Sequence, residues 1–327
     1  MTQLESPSTA THSPTPEHPT ATSVFVNGHF PRRRRLVLLL GVLGGFALTV
    51  VWSASFVDSA IGGTVADGLL GHDAEETAIT GIGAGVVFAL VSGLAGTFTA
   101  CNIAVFGAVA PLAGSAGDWR SRMRTVLRPL LWMAAGMVAV SAAYGVVVGI
   151  FGTDMPQFST APSQPGLLPA RLVQSMVVFG VIGLIMIYLG LAVLGLVRDP
   201  FARIAARFPN APLVFFGGLI GAFLIGRPFP LFRKLFRDVA EEGNPLYAAG
   251  AFVLQSLGNI LILAALLILT VLVGGRLQRW LQADPRRVSV LSATALLIVG
   301  VFTFLYWDVR LPAMRDIIPW YPVAPWV

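Results

Sequence analysis

The feature that most limits what this chain can fold into is a series of seven apolar runs. They cover residues 36–57, 78–113, 129–151, 171–197, 211–232, 246–273 and 288–308. A helix needs about 20 apolar residues to cross a hydrocarbon layer ~30 Å thick, and every run is long enough. The runs are continuous rather than alternating, and open sheet edges in lipid would leave backbone groups unpaired. The expected fold is therefore an all-α polytopic membrane protein with seven transmembrane helices. Composition agrees: 55% of the 327 residues are hydrophobic and only 12% are charged. That balance is far too apolar for a soluble protein of this length.

The loops set an expected orientation. Arg32–Arg35, Arg120, Arg122, Arg124, Arg128, Arg198, Arg203, Arg207, Arg276, Arg279, Arg286 and Arg287 fall on one side. Only Arg171, Arg233, Lys234, Arg237, Arg310 and Arg315 fall on the other. Basic residues concentrate on the cytoplasmic side. The expectation is a cytoplasmic-membrane protein with its N-terminus inside and its C-terminus outside. Residues 1–30, rich in Ser, Thr and Pro, are expected to form a disordered cytoplasmic tail. Residues 309–327 are expected to form an external C-terminal segment. The net charge of +6 points to membrane lipids as partners, not to nucleic acid. The single cysteine excludes an intrachain disulfide, and all four His lie outside the apolar runs. No metal or cofactor is expected.

Two stretches echo each other. Gly93-Leu-Ala-Gly96-Thr-Phe98 runs into Cys101-Asn102, and Gly218-Leu-Ile-Gly221-Ala-Phe223 runs into Gly226-Arg227-Pro228. In register, Cys101 matches Gly226 and Asn102 matches Arg227. Each interrupts an apolar run with polar or helix-breaking residues, and Pro230 follows the second break. A weaker echo pairs Pro129-Leu130 with Pro245-Leu246. Setting aside an extra N-terminal helix, 31–57, two three-helix groups remain, 78–197 and 211–308. They begin on opposite sides, so as repeats they are inverted, with broken first helices. Interrupted helices in two such halves point to a central site.

At these residues the chain resembles the transmembrane module of the CcdA/DsbD family, the cytochrome c biogenesis transmembrane region. The resemblance covers about 78–308. It implies two inverted three-helix repeats that move reducing equivalents across the membrane through cysteines in the helix breaks. It further implies service to cytochrome c or extracytoplasmic thiol maturation, with a thioredoxin-like protein or an extracytoplasmic thiol protein as partner. Cys101 stands at the family's first active cysteine, which makes it the candidate catalytic residue. Gly226 stands where the second would be, with Pro228 and Pro230 keeping the break.

Other readings of the same residues stay open. Cys101 can be a small buried hydrophobe. Arg227, the one charge placed well within a run, can stabilise a Cys101 thiolate, hold a small anion, or reach the headgroups. Asn102, and the pair Gln255 and Asn259 at i, i+4, can line a substrate cavity or join helices by hydrogen bonds. The alternative function is a transporter of a small anion or thiol compound through a midplane site between the repeats.

Overall fold

The computed structural model describes residues 23, 26–54, 56–57, 63–74, 76–77, 79, 81–95, 119–159, 161–162, 165–226, 230–273, 280–281 and 283–326. Among them every regular element is helical. The helices are α1 (Arg34–Val51), α2 (Thr64–Leu70), α3 (Gly81–Ala95), α4 (Trp119–Phe151) and α5 (Ala170–Val193). They continue as α6 (Ala202–Arg207), α7 (Ala211–Gly226), α8 (Pro230–Glu242), α9 (Pro245–Val273) and α10 (Pro285–Leu305). A π-helical turn, Tyr306–Arg310, and a short α11, Leu311–Ala313, prolong α10.

Five of these are long and apolar enough to cross a membrane: α1, α4, α5, α9 and α10. A sixth crossing counts if α7 and α8 are one span bent by 81°. The run expected at 78–113 is represented by α3, whose 15 residues reach only about 22 Å. The rest of that run lies outside the described residues. The outward faces are apolar: Leu39, Leu131, Val177 and Leu261 are all more than half exposed. Exposed side chains of this kind on long apolar helices mark a membrane protein.

Three expected boundaries move. Helix α4 begins at Trp119, so Pro129 lies inside it and does not open it. The apolar part does start near Leu127. Hydropathy marks where lipid begins, whereas the helix runs several Arg-bearing turns beyond it. The N-terminal tail is also held, in part, before residue 31. Val26 is buried, Asn27 Nδ2 donates to Pro285 O at 3.1 Å, and Ser289 Oγ lies 2.8 Å from both Asn27 Oδ1 and His29 O. The C-terminal segment folds back onto the end of α1. Tyr321 OH meets Thr49 Oγ1 at 2.6 Å, and Ala324 N donates to Val50 O at 2.9 Å.

Arg310 explains that return. It was expected in an external loop, yet it is 1% exposed. Its Nη1 donates to Thr49 O at 2.6 Å and to Trp52 O at 2.8 Å. The last carbonyls of a helix have no partner within it, and in lipid no water supplies one. Arg310 closes the end of α1.

The helices pack in a row: α1 on α10, α10 on α5, α5 on α7, α7 on α4, α4 on α9, and α9 on α3. Glycines set the approach and reveal the sense of each pair. Gly41 and Gly45 of α1 lie against Leu297 and Val301 of α10, a parallel pair. Gly183 faces Gly300 and Gly190 faces Leu297, so α5 and α10 are antiparallel. Gly217 meets Met133 and Gly221 meets Met137, so α7 and α4 are parallel. Gly145 meets Ala248 and Gly149 meets Pro245, so α4 and α9 are antiparallel. Gly85 meets Tyr247 and Gly93 meets Gln255, so α3 and α9 are parallel. Two crossings share one construction. Gly93 of α3 sits against Gly258 of α9, and Gly218 of α7 sits against Gly136 of α4.

Small residues let membrane helices touch along their backbones, where dispersion and weak polar contacts replace a hydrophobic drive. A side chain at Gly217 would collide with the Met133 carbonyl, whereas Gly250 faces open space. Gly217→Val is therefore expected to destabilise the protein by about 1–3 kcal/mol through overpacking. Gly250→Val is expected to be close to neutral. Thermal unfolding of the two variants in the same detergent checks this. Equal melting temperatures would remove the glycine crossing as a determinant of the fold.

Candidate functional site

Cys101, Asn102, Arg227 and Pro228 lie outside the described residues. The remaining candidates fall at two places. Gly226 ends α7 and packs on α5, where a side chain would meet Phe179 and Val178. Pro230 opens α8 beyond the break. Gln255 and Asn259 lie together on α9, at the crossing with α3 and α4. The two groups belong to different interfaces, so the described structure does not gather them into one site.

The inner place is a neutral polar cluster. Gln255 is completely buried, and neither its Oε1 nor its Nε2 has a hydrogen-bond partner among the described residues. One residue on, Ser256 Oγ lies 2.6 Å from Ser141 Oγ of α4. Ser92 of α3, also buried, turns its hydroxyl onto its own helix, donating to Ala89 O at 2.9 Å. Asn259, one turn along, is half-buried. Gln255 sits ten residues into α9, which places it about 15 Å along that helix. A buried amide with both ends unpaired costs stability unless a water or a solute completes it.

The outer place surrounds the break itself. Ile225 is the penultimate residue of α7, so its carbonyl has no partner in the helix. Gln174 of α5 supplies one, its Nε2 donating to Ile225 O at 2.7 Å and to Tyr144 OH at 3.2 Å. Tyr144 OH in turn donates to Gln157 Oε1. The Tyr144 ring packs on Phe252, centroids 5.8 Å apart, and Phe252 packs on Phe236 of α8 at 4.2 Å. Helix α8 is amphipathic. It buries Leu231, Phe232, Leu235, Phe236 and Val239 and turns Arg233 and Arg237 outward. Lys234 Nζ ties it to Ala74 O at 2.9 Å and to Thr77 O. The two places are linked along α4: Ser141 of the inner cluster is one turn from Tyr144 of the outer one.

Sequence reasoning singled out the break but not its support. Gln174 was visible as a polar residue near the start of an apolar run, and Tyr144 as an aromatic one within another. Neither gives a sign in the sequence that it serves residue 225. Among the described residues no group of His, Cys, Asp and Glu could hold a metal ion.

Gln174→Leu would leave the Ile225 carbonyl unpaired in an apolar setting, a cost of about 1–3 kcal/mol. The expected result is a lower melting temperature together with faster proteolysis near residues 226–230. Unchanged stability and cleavage would show that the capping bond is dispensable. No protein family, curated protein or solved structure matches this chain.

Proposed function

We propose that the chain is a membrane transport protein made of two inverted three-helix halves, 78–197 and 211–308, with α1 added. Its cargo is a small anion or thiol compound, taken through the polar junction of the halves. The observation that carries the reading is Gln255. A fully buried amide with both ends unpaired among the described residues, beside Ser256 and Ser141, is suited to complete its hydrogen bonds with something that comes and goes.

The packing supports inverted halves. Exchanging them turns the α3–α9 crossing into the α7–α4 crossing, and both are parallel with glycine on glycine. The same exchange maps α4 onto α9 and α5 onto α10. Those pairs touch antiparallel, as an axis in the membrane plane requires. On the positive-inside rule the end bearing Arg32–Arg35, Arg198, Arg286 and Arg287 faces the cytoplasm, and the membrane is the cytoplasmic one.

Thiol exchange at Cys101, as in the CcdA/DsbD family, is the second reading. What favours it is the register that sets Cys101 opposite Gly226, the last residue before the break. In that chemistry the Cys101 thiolate attacks a partner's disulfide, forms a mixed disulfide and releases one partner thiolate. One thiolate of a thioredoxin-like dithiol then attacks the Cys101 sulfur and releases the second partner thiolate, and its other thiolate displaces the Cys101 thiolate, so that the dithiol ends as a disulfide itself.

The test uses reconstituted liposomes and labelled sulfate, phosphate and glutathione. Gln255→Leu removes the unpaired amide. It is expected to keep or raise the melting temperature while abolishing uptake, and Cys101→Ser is expected to retain uptake. Full uptake by Gln255→Leu, or none by the unaltered protein with any of the three, overturns the transport reading. Alkylation gel shifts that trap Cys101 in a mixed disulfide, with activity lost in Cys101→Ser, would establish the second.

A further inference from the structure

We propose that the hollow between α5, the turn at Pro156–Phe158 and α8 is an oxyanion site, taking a phosphate or carboxylate group on Arg233, Arg237 and Gln157, with Arg171 behind them. Two adjoining cavities share Gln157, Phe158 and Arg233. One reaches inward past Arg171 and Ser175 to Ile225 and Gly226. The other, of about 230 Å³, opens outward between Arg233, Lys234 and Arg237. That volume admits a phosphate or a short carboxylate.

The charged groups that line this hollow among the described residues are cations, and the amide of Gln157 adds a donor. Gln174 Nε2 has to donate to the Ile225 carbonyl, so Tyr144 OH receives its second hydrogen and sends its own proton to Gln157 Oε1. This chain of directions leaves Gln157 Nε2 as a buried donor with no acceptor among the described residues. Ser175 Oγ gives its proton to Arg171 O at 2.9 Å and so presents only lone pairs to the inner cavity. Arg171 is fixed in place by Nη1, which donates to Ser159 O and Ala161 O, each at 2.8 Å. Among the described residues, the charges that act on Arg233 are Arg171 and Arg237, both of its own sign. Phe158 and Phe236 wall the hollow with apolar surface, which strengthens any charge pairing within it. The carboxylate of Asp238 is engaged elsewhere, accepting from Tyr247 OH at 3.1 Å. Guanidinium forks, an amide donor with no acceptor among the described residues and no counter-charge to Arg233 among them form a setting that an oxyanion completes.

The site lies apart from the Gln255 cluster and does not depend on the transport reading. The test reads binding, not uptake. Full-length protein in neutral detergent is titrated with inorganic phosphate and with acetate, against chloride at equal ionic strength, by calorimetry and thermal shift. A second arm compares mixed micelles of phosphatidylglycerol with phosphatidylcholine alone. Phosphate is expected to bind and to raise the melting temperature. Arg233→Gln is expected to weaken binding by about tenfold or more, the scale of a lost charge-assisted hydrogen bond. Arg315→Gln, at the same end but outside the hollow, is expected to bind as before. Arg237→Gln, on the exposed face of α8, reads the same loss if Arg233→Gln does not fold. An arginine-dependent shift with phosphatidylglycerol and not with phosphate keeps the site and names a lipid headgroup as its source. Equal effects of chloride, or no dependence on Arg233 or Arg237 in either arm, overturn the proposal.

Discussion

The constraint on which this structure depends is that a backbone carbonyl in hydrocarbon has to find a donor inside the protein. Unbroken helices meet it by themselves. Every helix end within the membrane creates a local debt of hydrogen bonds, and here two side chains from distant helices settle two of them. Gln174 reaches across from α5 to Ile225 at the end of α7. Arg310 reaches from the end of α10 to Thr49 and Trp52 at the end of α1. Among the buried polar residues, Thr49 and Arg310 lie where helices stop, whereas Ser141, Gln255, Ser256 and Ser292 lie within helices. Gln255 differs from these serines in its size and in having neither end of its amide paired among the described residues.

Between the helix ends, cohesion comes from close backbone approach. Lipid tails are as apolar as leucine, so burying leucine against leucine gains little in a membrane. The glycines at 93, 136, 217, 218 and 258 remove side chains where α3 crosses α9 and where α7 crosses α4. The first crossing brings Ser92 and Gln255 together, and the α4–α9 contact adds Ser141 to Ser256. The same small residues that let these helices touch therefore also bring polar neighbours close to one another.

The fold class was legible because lipid imposes a length and a polarity on each helix, and residues 171–197, 246–273 and 288–308 meet both without ambiguity. The break after Gly226 was legible from Gly226-Arg227-Pro228, a cluster that no apolar helix tolerates. What the sequence hid was long-range. Arg310 looks like a loop cation because its partners are carbonyls of residues 49 and 52, which carry no side-chain signature. Gln174 and Gln157 look incidental because their value lies in bond direction, fixed by a tyrosine on a third helix. Pro129 misled for the opposite reason. Its local meaning, a helix start, is a tendency, and the turns before it continue regardless. Helix α8 was hidden because the run is expected to end at 232 with Arg233, Lys234 and Arg237 in a loop, whereas these charges recur at helical spacing on a helix.

The attachment of α1 has a bearing on biosynthesis. Its helical neighbour is α10, and its far end is fastened by Arg310, Tyr321 and Ala324. The residues that fasten α1 are thus made long after it. Until α10 and Arg310 follow, α1 has no permanent seat and must wait in the lipid beside a growing bundle. Its docking is then a late event, and a nascent chain that stalls before α10 would carry this helix unmoored.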